Sequence, residues 1–334
     1  MTSPICVGTG LVALDAIYGS DGKQPSFLAG GSCGNVLTIL ASLGWDAFPM
    51  TRLGNDAEGY RIIEDMKKWG IKTKYMQQEH DTKTPRIIER VFAGKNPYHR
   101  FYLKCEHGKW LPQKKVFTLK SIRMLLKDLP FANVFYFDRA TPGACELAIY
   151  LKQRGAIIFF EPPRFLSGSL FRRCLEAADI VKHCYDSKSM VECDVSIPVE
   201  IQTMGKQGLR YKTNFLRNTE WKTLTPFPVH DLVDAAGSGD WLSAGIIHHL
   251  CNYKIHTIGR KHLEDALDFG QALASLNCSY VGARGMMYYI RQETIARLAQ
   301  RRAKNRQLVI NVKSGKIKTA SRFATKCRIC TCAG

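Results

Sequence analysis

The sequence predicts an α/β protein with a mostly parallel central sheet covered by helices on both faces, plus a small β-rich excursion. Two observations carry this. Short apolar runs, Val134 to Phe137 and Ala156 to Phe160, flank a helical stretch, Gly143 to Arg154, and unbroken runs of this kind belong to strands buried on both sides. Thr84 to Lys104 instead alternates apolar and polar residues around Gly94-Lys95-Asn96-Pro97, the pattern of an antiparallel hairpin.

The elements follow in order. Ile5 to Ala13 is a β-rich run with glycines, and Gly34 to Gly44 is a small-residue helical pattern. Ala47 to Arg52 reads as a strand. Asp56 to Trp69 reads as a helix with Ile62, Ile63, Met66 and Trp69 on one face and Gly70 as its stop. Ser121 to Asp128 is helical, Ile180-Val181 and Glu200 to Met204 continue the sheet, and a hairpin lies near Leu209 to Phe215. Helices are expected at about 239–252, 262–280 and 290–303. The excursion draws on segments near 16–29 and 84–105, inside one domain spanning 1–296, with a basic appendage at 297–334.

Composition narrows the function classes. The 334 residues carry 48 Lys and Arg against 29 Asp and Glu, a net charge of +19, which attracts nucleotides and other polyanions. Residues 297–334 hold eleven of the basic residues and no acidic one. The appendage therefore carries +11 and the body +8, and nucleic acid is a candidate partner of the appendage alone. The longest apolar stretches, such as Val36 to Trp45, are interrupted and fall short of the roughly 18 residues of a membrane span. The opening residues lack the basic-then-apolar pattern of a signal peptide, so a cytoplasmic chain without membrane partners is expected. Of the 12 cysteines, Cys6, Cys33, Cys145, Cys174, Cys251 and Cys278 sit among apolar or small neighbours and are expected to be buried small hydrophobes.

The chemistry concentrates in Asp234-Ala235-Ala236-Gly237-Ser238-Gly239-Asp240, ahead of a helix in which Leu242, Ile246 and Leu250 recur every four residues. Small residues at a helix start let backbone amides approach a phosphate, and the helix dipole favours an anion there. Asp240, at the first turn, would stand beside that anion, ionised at an ordinary carboxylate pKa of about 3.9, and take a proton from an attacking hydroxyl. Phosphoryl transfer asks for little else beyond positioning and charge stabilisation.

Asp234 to Asp240 resembles the C-terminal signature of the PfkB family of carbohydrate kinases, whose fold is ribokinase-like. Gly30-Gly31-Ser32-Cys33-Gly34-Asn35, continuing through Leu43-Gly44 to Arg52-Leu53-Gly54-Asn55-Asp56-Ala57-Glu58-Gly59, resembles its N-terminal signature. Gly10 to Asp15 is similar to the family's first strand ending in a substrate-binding Asp, and Glu161-Pro162-Pro163-Arg164 to a strand end of the central sheet. Thr203-Met204-Gly205-Lys206-Gln207-Gly208 is similar to the nucleotide-side turn, and Gly282-Ala283 to the loop closing the adenine pocket. The resemblance covers about residues 5–295. It implies Asp240 as catalytic base and Ala236, Gly237, Ser238 and Gly239 as anion hole. Asp15, Gly30, Gly31 and Asn35 would hold a sugar or nucleoside. Thr203, Gly205, Gly208 and Asp234 would line ATP, with Mg²⁺ as cofactor and K⁺ as a candidate activator. The family also implies a lid over the acceptor, through which homodimers form.

Two departures stand out. The family's Asn-x-x-Glu is replaced by Cys184 and Ser187, with Asp186 adjacent and Glu192 nearby, and Ala13 stands where ribokinase-type members place an Asn. Ribose is therefore not singled out. A binding or assembly protein on a kinase fold is the alternative, but Asp240 and its glycine loop are intact. A dinucleotide-binding fold from Gly8-Thr9-Gly10-Leu11-Val12-Ala13 lacks the helix and acidic residue it needs, and the P-loop pattern is absent. The ending Cys327, Cys330, Cys332, with Cys105 and His107 after the hairpin, suggests structural Zn²⁺ held by Cys105, His107, Cys327 and Cys330. His248 and His249, adjacent on a helix, are expected to point to different faces in structural roles.

Overall fold

A computed structural model describes residues 2–308 apart from 20–24, 95–96, 106, 114, 165, 186–194, 216–219, 230, 252 and 254. Strand β1 (Ile5–Thr9) is followed by β2 (Ala13–Tyr18), β3 (Ser26–Gly30) and helix α1 (Ser32–Ser42). Next come β4 (Asp46–Gly54), α2 (Ala57–Lys68), β5 (Met76–Glu79), β6 (Arg86–Phe92) and β7 (Tyr98–Tyr102). The middle of the chain folds as α3 (Leu119–Leu125), β8 (Val134–Phe137), α4 (Pro142–Gln153), β9 (Ile157–Phe160) and α5 (Ser169–Ala177). It ends with β10 (Ile180–Cys184), β11 (Val199–Thr203), β12 (Leu209–Thr213), β13 (Lys222–Leu224), α6 (Ser238–Leu250), α7 (Arg260–Asn277) and α8 (Gln292–Lys304).

The large sheet runs β13-β12-β11-β10-β9-β8-β1-β4-β5. It is parallel from β5 through β11, and β12 and β13 add antiparallel at one edge. Alternation along its strands divides the core in two. Cys6, Tyr136, Phe159 and Ile180 face a cluster with α1, α6 and α7. Val7, Phe135, Phe137, Ile158, Phe160 and Val181 face α4 and α5. That is the period of two of a pleated strand, apolar on both sides because helices cover both faces.

The second sheet, β3-β2-β6-β7, is the lid. Residues paired across it, Asp15 with Leu28 and Ile17 with Glu89, share one face, and Ile17 and Leu28 abut Gly282 of the core. Its outer side packs Ala16, Ile88 and Leu111. Among the described residues no helix is long and apolar enough to cross a membrane.

Differences from the sequence reading are local. β1 stops at Thr9 and Asp15 belongs to β2, so that carboxylate rides on the lid rather than closing the first central strand. α5, β5 and β13 were not anticipated. For α5 a signal existed, since Phe171, Cys174 and Leu175 are buried at helical spacing. The 296/297 division falls within α8, where Ile295, Ala299 and Arg302 are buried. Arg302 donates to the Pro228 carbonyl and Arg306 pairs with Asp268, so these two basic residues hold α8 to the body. Cys251 is half-buried rather than buried, while the other five interior cysteines are buried. His248 and His249 flank Phe269, at 5.7 and 5.9 Å, and His248 accepts from Trp45 Nε1 at 3.1 Å while His249 faces Asp265 and His262.

Candidate active site

The C-terminal ends of β8, β9, β10 and β11 line up along the crevice where ligands bind open parallel sheets, and α6 begins beside them. Its N-cap is Gly237, at φ 72° and ψ −1°, and no side-chain hydrogen bond caps the helix. A Cβ on Gly237 would overlap the Ala283 backbone, so only glycine meets both demands. The loop is braced from below. Asp234 accepts from Ala236 N at 2.9 Å and Gly282 N at 2.8 Å, and Trp241 Nε1 donates to the Ala283 carbonyl at 2.9 Å. Residues 236–239 are thus a prearranged turn at a helix N-terminus, the geometry that holds an anion. Gly282-Ala283, assigned by resemblance to an adenine loop, is placed against this turn. Gly237→Ala is expected to cost about 1–3 kcal/mol through backbone strain and to weaken ATP binding, measured by denaturant unfolding and calorimetry.

Asp240 sits in the first turn of α6, and Asn35 Nδ2 of α1 donates to its Oδ2 at 2.8 Å. Burial, then the carboxylates of Glu161 and Asp138, push Asp240 up to about 8, against the pull of Asn35 and Lys182. The expectation of an ordinarily ionised carboxylate is corrected by this environment: out of water and beside other acids, the charged form is disfavoured.

Glu161 follows β9 and accepts from Lys182, from Tyr136 OH at 3.1 Å and from Ser243 Oγ at 2.5 Å. Lys182, 3% exposed, lies beside the glycine turn, its Nζ 3.5 Å from where a Gly239 Cβ would stand. A positively charged side chain therefore adjoins the glycine turn. The sequence reading noted Glu161 only as a strand end and passed over Lys182, although a lysine inside the apolar run after Ile180-Val181 was the available signal.

The contacts of Asp15, assigned by resemblance to the acceptor, are continuous with this. Asp15 lies over Gly30, where a Cβ would overlap its carboxylate, and takes the Gly31 amide. Gly31 O in turn accepts from Asn35 N at 2.8 Å, so Asp15, Gly31, Asn35 and Asp240 form one chain of contacts. Burial pushes Asp15 up to about 7, while Arg284 and the Gly31 amide pull it down. Asp15 Oδ1 and Asn35 Oδ1 are both buried without a hydrogen-bond partner. Buried polar atoms are normally satisfied, and two such acceptors in one chain of contacts mark a place for donors from a ligand. Asp138, also missed, fixes the neighbouring backbone by accepting from Leu11 N at 3.1 Å, Cys33 N at 3.0 Å and Ser32 Oγ.

Thr203, Gly205 and Gly208 form the turn joining β11 to β12, with Met204 N donating to Gly208 O at 2.8 Å. Thr203 pairs with Cys184, which is exposed at the end of β10. Asp186, Ser187 and Glu192 lie outside the described residues, as do Cys327, Cys330 and Cys332. Cys105 and His107 occupy a tight turn after β7, where Gly108 N donates to Cys105 O at 2.9 Å. Among the described residues no third metal-capable side chain joins them.

The model of the pfkB family carbohydrate kinases matches residues 1–94 and 176–288. Ribokinase of Bacillus subtilis (strain 168) is 24% identical over 302 residues, spanning 85% of this chain and 95% of that protein. The structure of Arabidopsis thaliana ribokinase complexed with ribose and ATP superposes with a TM-score of 0.65 at 16% identity, over 90% of this chain and 99% of that one. Ribokinase from Giardia lamblia gives 0.71 at 15% identity, over 90% and 100%. The folds coincide over nearly their whole lengths, and both segments that build the glycine turn, Asp240 and the Asp15 strand fall inside the family match: the chain belongs to the pfkB family of carbohydrate kinases.

Proposed function

We propose that the protein transfers the γ-phosphoryl group of ATP to a hydroxyl of a sugar or nucleoside, with Asp240 as general base. The observation that carries this reading is the chain of contacts from Asp15 through Gly31 and Asn35 to Asp240, with buried unpaired oxygens on Asp15 and Asn35. Those oxygens accept from the acceptor's hydroxyls and orient it. The reacting hydroxyl gives its proton to Asp240, its oxygen forms the new bond to phosphorus, and the bond to the departing ADP breaks. Amides of residues 236–239 and the ammonium of Lys182 stabilise the charge on the group in flight.

Mg²⁺ reaches such sites on the nucleotide's own phosphates, and the chemistry it supplies is neutralisation of charge on the β- and γ-oxygens. The thiol of Cys184 is a poor substitute for an amide as its ligand, and Glu161 is engaged by three donors. Lys182 supplies the fixed positive charge on this side. Dimerisation through the lid is supported by Tyr98, Phe101, Tyr102, Leu103 and Trp110, all exposed on β7 and the residues after it.

ATP consumption across hexoses, pentoses, sugar phosphates and nucleosides tests the reading. Turnover is expected to require one acceptor class. Asp15→Asn should raise the KM for that acceptor by about 10–100-fold, the loss of a charged hydrogen bond, with the KM for ATP nearly unchanged. ATP consumption indifferent to acceptor, or binding without turnover, would remove the kinase reading in favour of a binding role.

A further inference from the structure

The lid face that meets the core carries two side chains with no task in phosphoryl transfer. Glu89 of β6 and His99 of β7 both reach Asp234, ahead of the glycine turn. Their ligand-capable atoms, one imidazole nitrogen and two carboxylate oxygens, all lie within 4.8 Å of one another. His99 Nδ1 is 3.0 Å from Asp234 Oδ1. Glu89 is 1% exposed, and its Oε1 has no hydrogen-bond partner. The Glu89 carboxyl is also hydrogen-bonded to Asp234, and burial with the neighbouring carboxylates of Asp234 and Asp15 pushes it up to about 10, so without a cation the pair shares a proton.

We propose that Glu89, His99 and Asp234 bind a divalent transition-metal ion, of the Zn²⁺, Co²⁺ or Mn²⁺ class, which bridges the lid to the core and holds the lid down. A dication displaces the proton shared by Glu89 and Asp234, which leaves to solvent, and the two carboxylates then match its charge. The imidazole selects a transition metal over Mg²⁺ or Ca²⁺, which take oxygen ligands. Bonds of about 2.0–2.2 Å to nitrogen and oxygen place tetrahedral ligands roughly 3.3–3.6 Å apart, so the cluster closes by about 1 Å on binding, a movement within reach of the Glu89 side chain. The supporting shell is present. Asp234 is held by the amides of Ala236 and Gly282, and the His99 ring lies 4.9 Å from that of Phe101. Glu89 and His99 come from the lid and Asp234 from the core, so the site is complete only with the lid closed. It requires neither turnover nor a particular acceptor.

Co²⁺ titrated into nucleotide-free, full-length protein tests this. One ion per chain is expected, with the absorption of a nitrogen–oxygen site and without the thiolate-to-cobalt charge-transfer band that the tail cysteines would produce. Glu89→Gln, His99→Ala and the milder His99→Asn should each weaken that site by about tenfold or more. Bound Co²⁺ should slow amide exchange in β6 and β7 of the wild type and leave His99→Ala unaffected. A folded wild type with no nitrogen–oxygen Co²⁺ site, a site that survives both the Glu89 and His99 substitutions, or unchanged lid exchange on binding would overturn the proposal.

Discussion

Asp240→Asn is expected to lower kcat by about 10²–10⁴-fold, the usual worth of a positioned general base, while ATP still binds. The wild-type profile of kcat/KM should rise with pH through a midpoint near 8, where the carboxylate gives up its proton, and level off above it. The same substitution should stabilise the fold. Asp240 has a folded pKa of about 8, above its ordinary value of 3.8. As pH rises from about 4 to 8 the unfolded chain ionises first, so it holds fewer protons and stability falls with pH. The amide has no such penalty. Its melting temperature should exceed that of wild type near pH 8 by a few degrees, at about 2–4 °C per kcal/mol, and match it near pH 4. A variant inactive but no more stable at pH 8 would contradict the raised pKa, and one that retains turnover would remove Asp240 from catalysis.

Lys182→Met should be the most damaging change to stability around the site. Lys182 is the positive partner of Glu161, with side chains 3% and 16% exposed, and removing one member of such a pair costs about 3–5 kcal/mol because the other stays charged and buried. The catalytic consequence runs through Asp240. Glu161 pushes its pKa up and Lys182 pulls it down, so losing only the lysine should move the pH–rate profile to higher pH as well as lowering its plateau. Adding Glu161→Gln should restore much of the stability without restoring turnover. Denaturant unfolding and pH–rate profiles on the three proteins separate the effects; an unmoved profile in Lys182→Met would detach the lysine from Asp240.

What could be read from the sequence was what lies close along the chain. The glycine turn and Asp240 occupy one short segment, and the periodic stretches behind α2, α4 and α6 need only their own residues to declare a helix. Partnerships that join distant segments were silent. Asn35 and Asp240 are 205 residues apart and Tyr136 and Glu161 are 25 apart, and nothing at either end names its partner. The shift in Asp240 had the same origin, since Glu161 and Asp138 reach it only through the sheet order. Edge strands β5 and β13 were missed because so few residues set little period, and Asp15 was assigned to the wrong sheet because β1 and β2 are separated by only Gly10, Leu11 and Val12.

On the proposed function, the placement of Asp15 on β2 bears on how ATP would be kept from water. If Asp15 grips the acceptor as proposed, the gripping carboxylate is part of the roof, and gripping and sealing would be a single movement. Water, the smallest rival for the phosphoryl group, has no set of hydroxyls with which to draw β2 inward and so cannot shut the chamber on itself. It also ties two histories together. On that reading, a substitution on β2 that retunes which sugar is accepted would alter in the same stroke how long the roof stays shut, so a new substrate and a new rhythm of opening would arrive as one change.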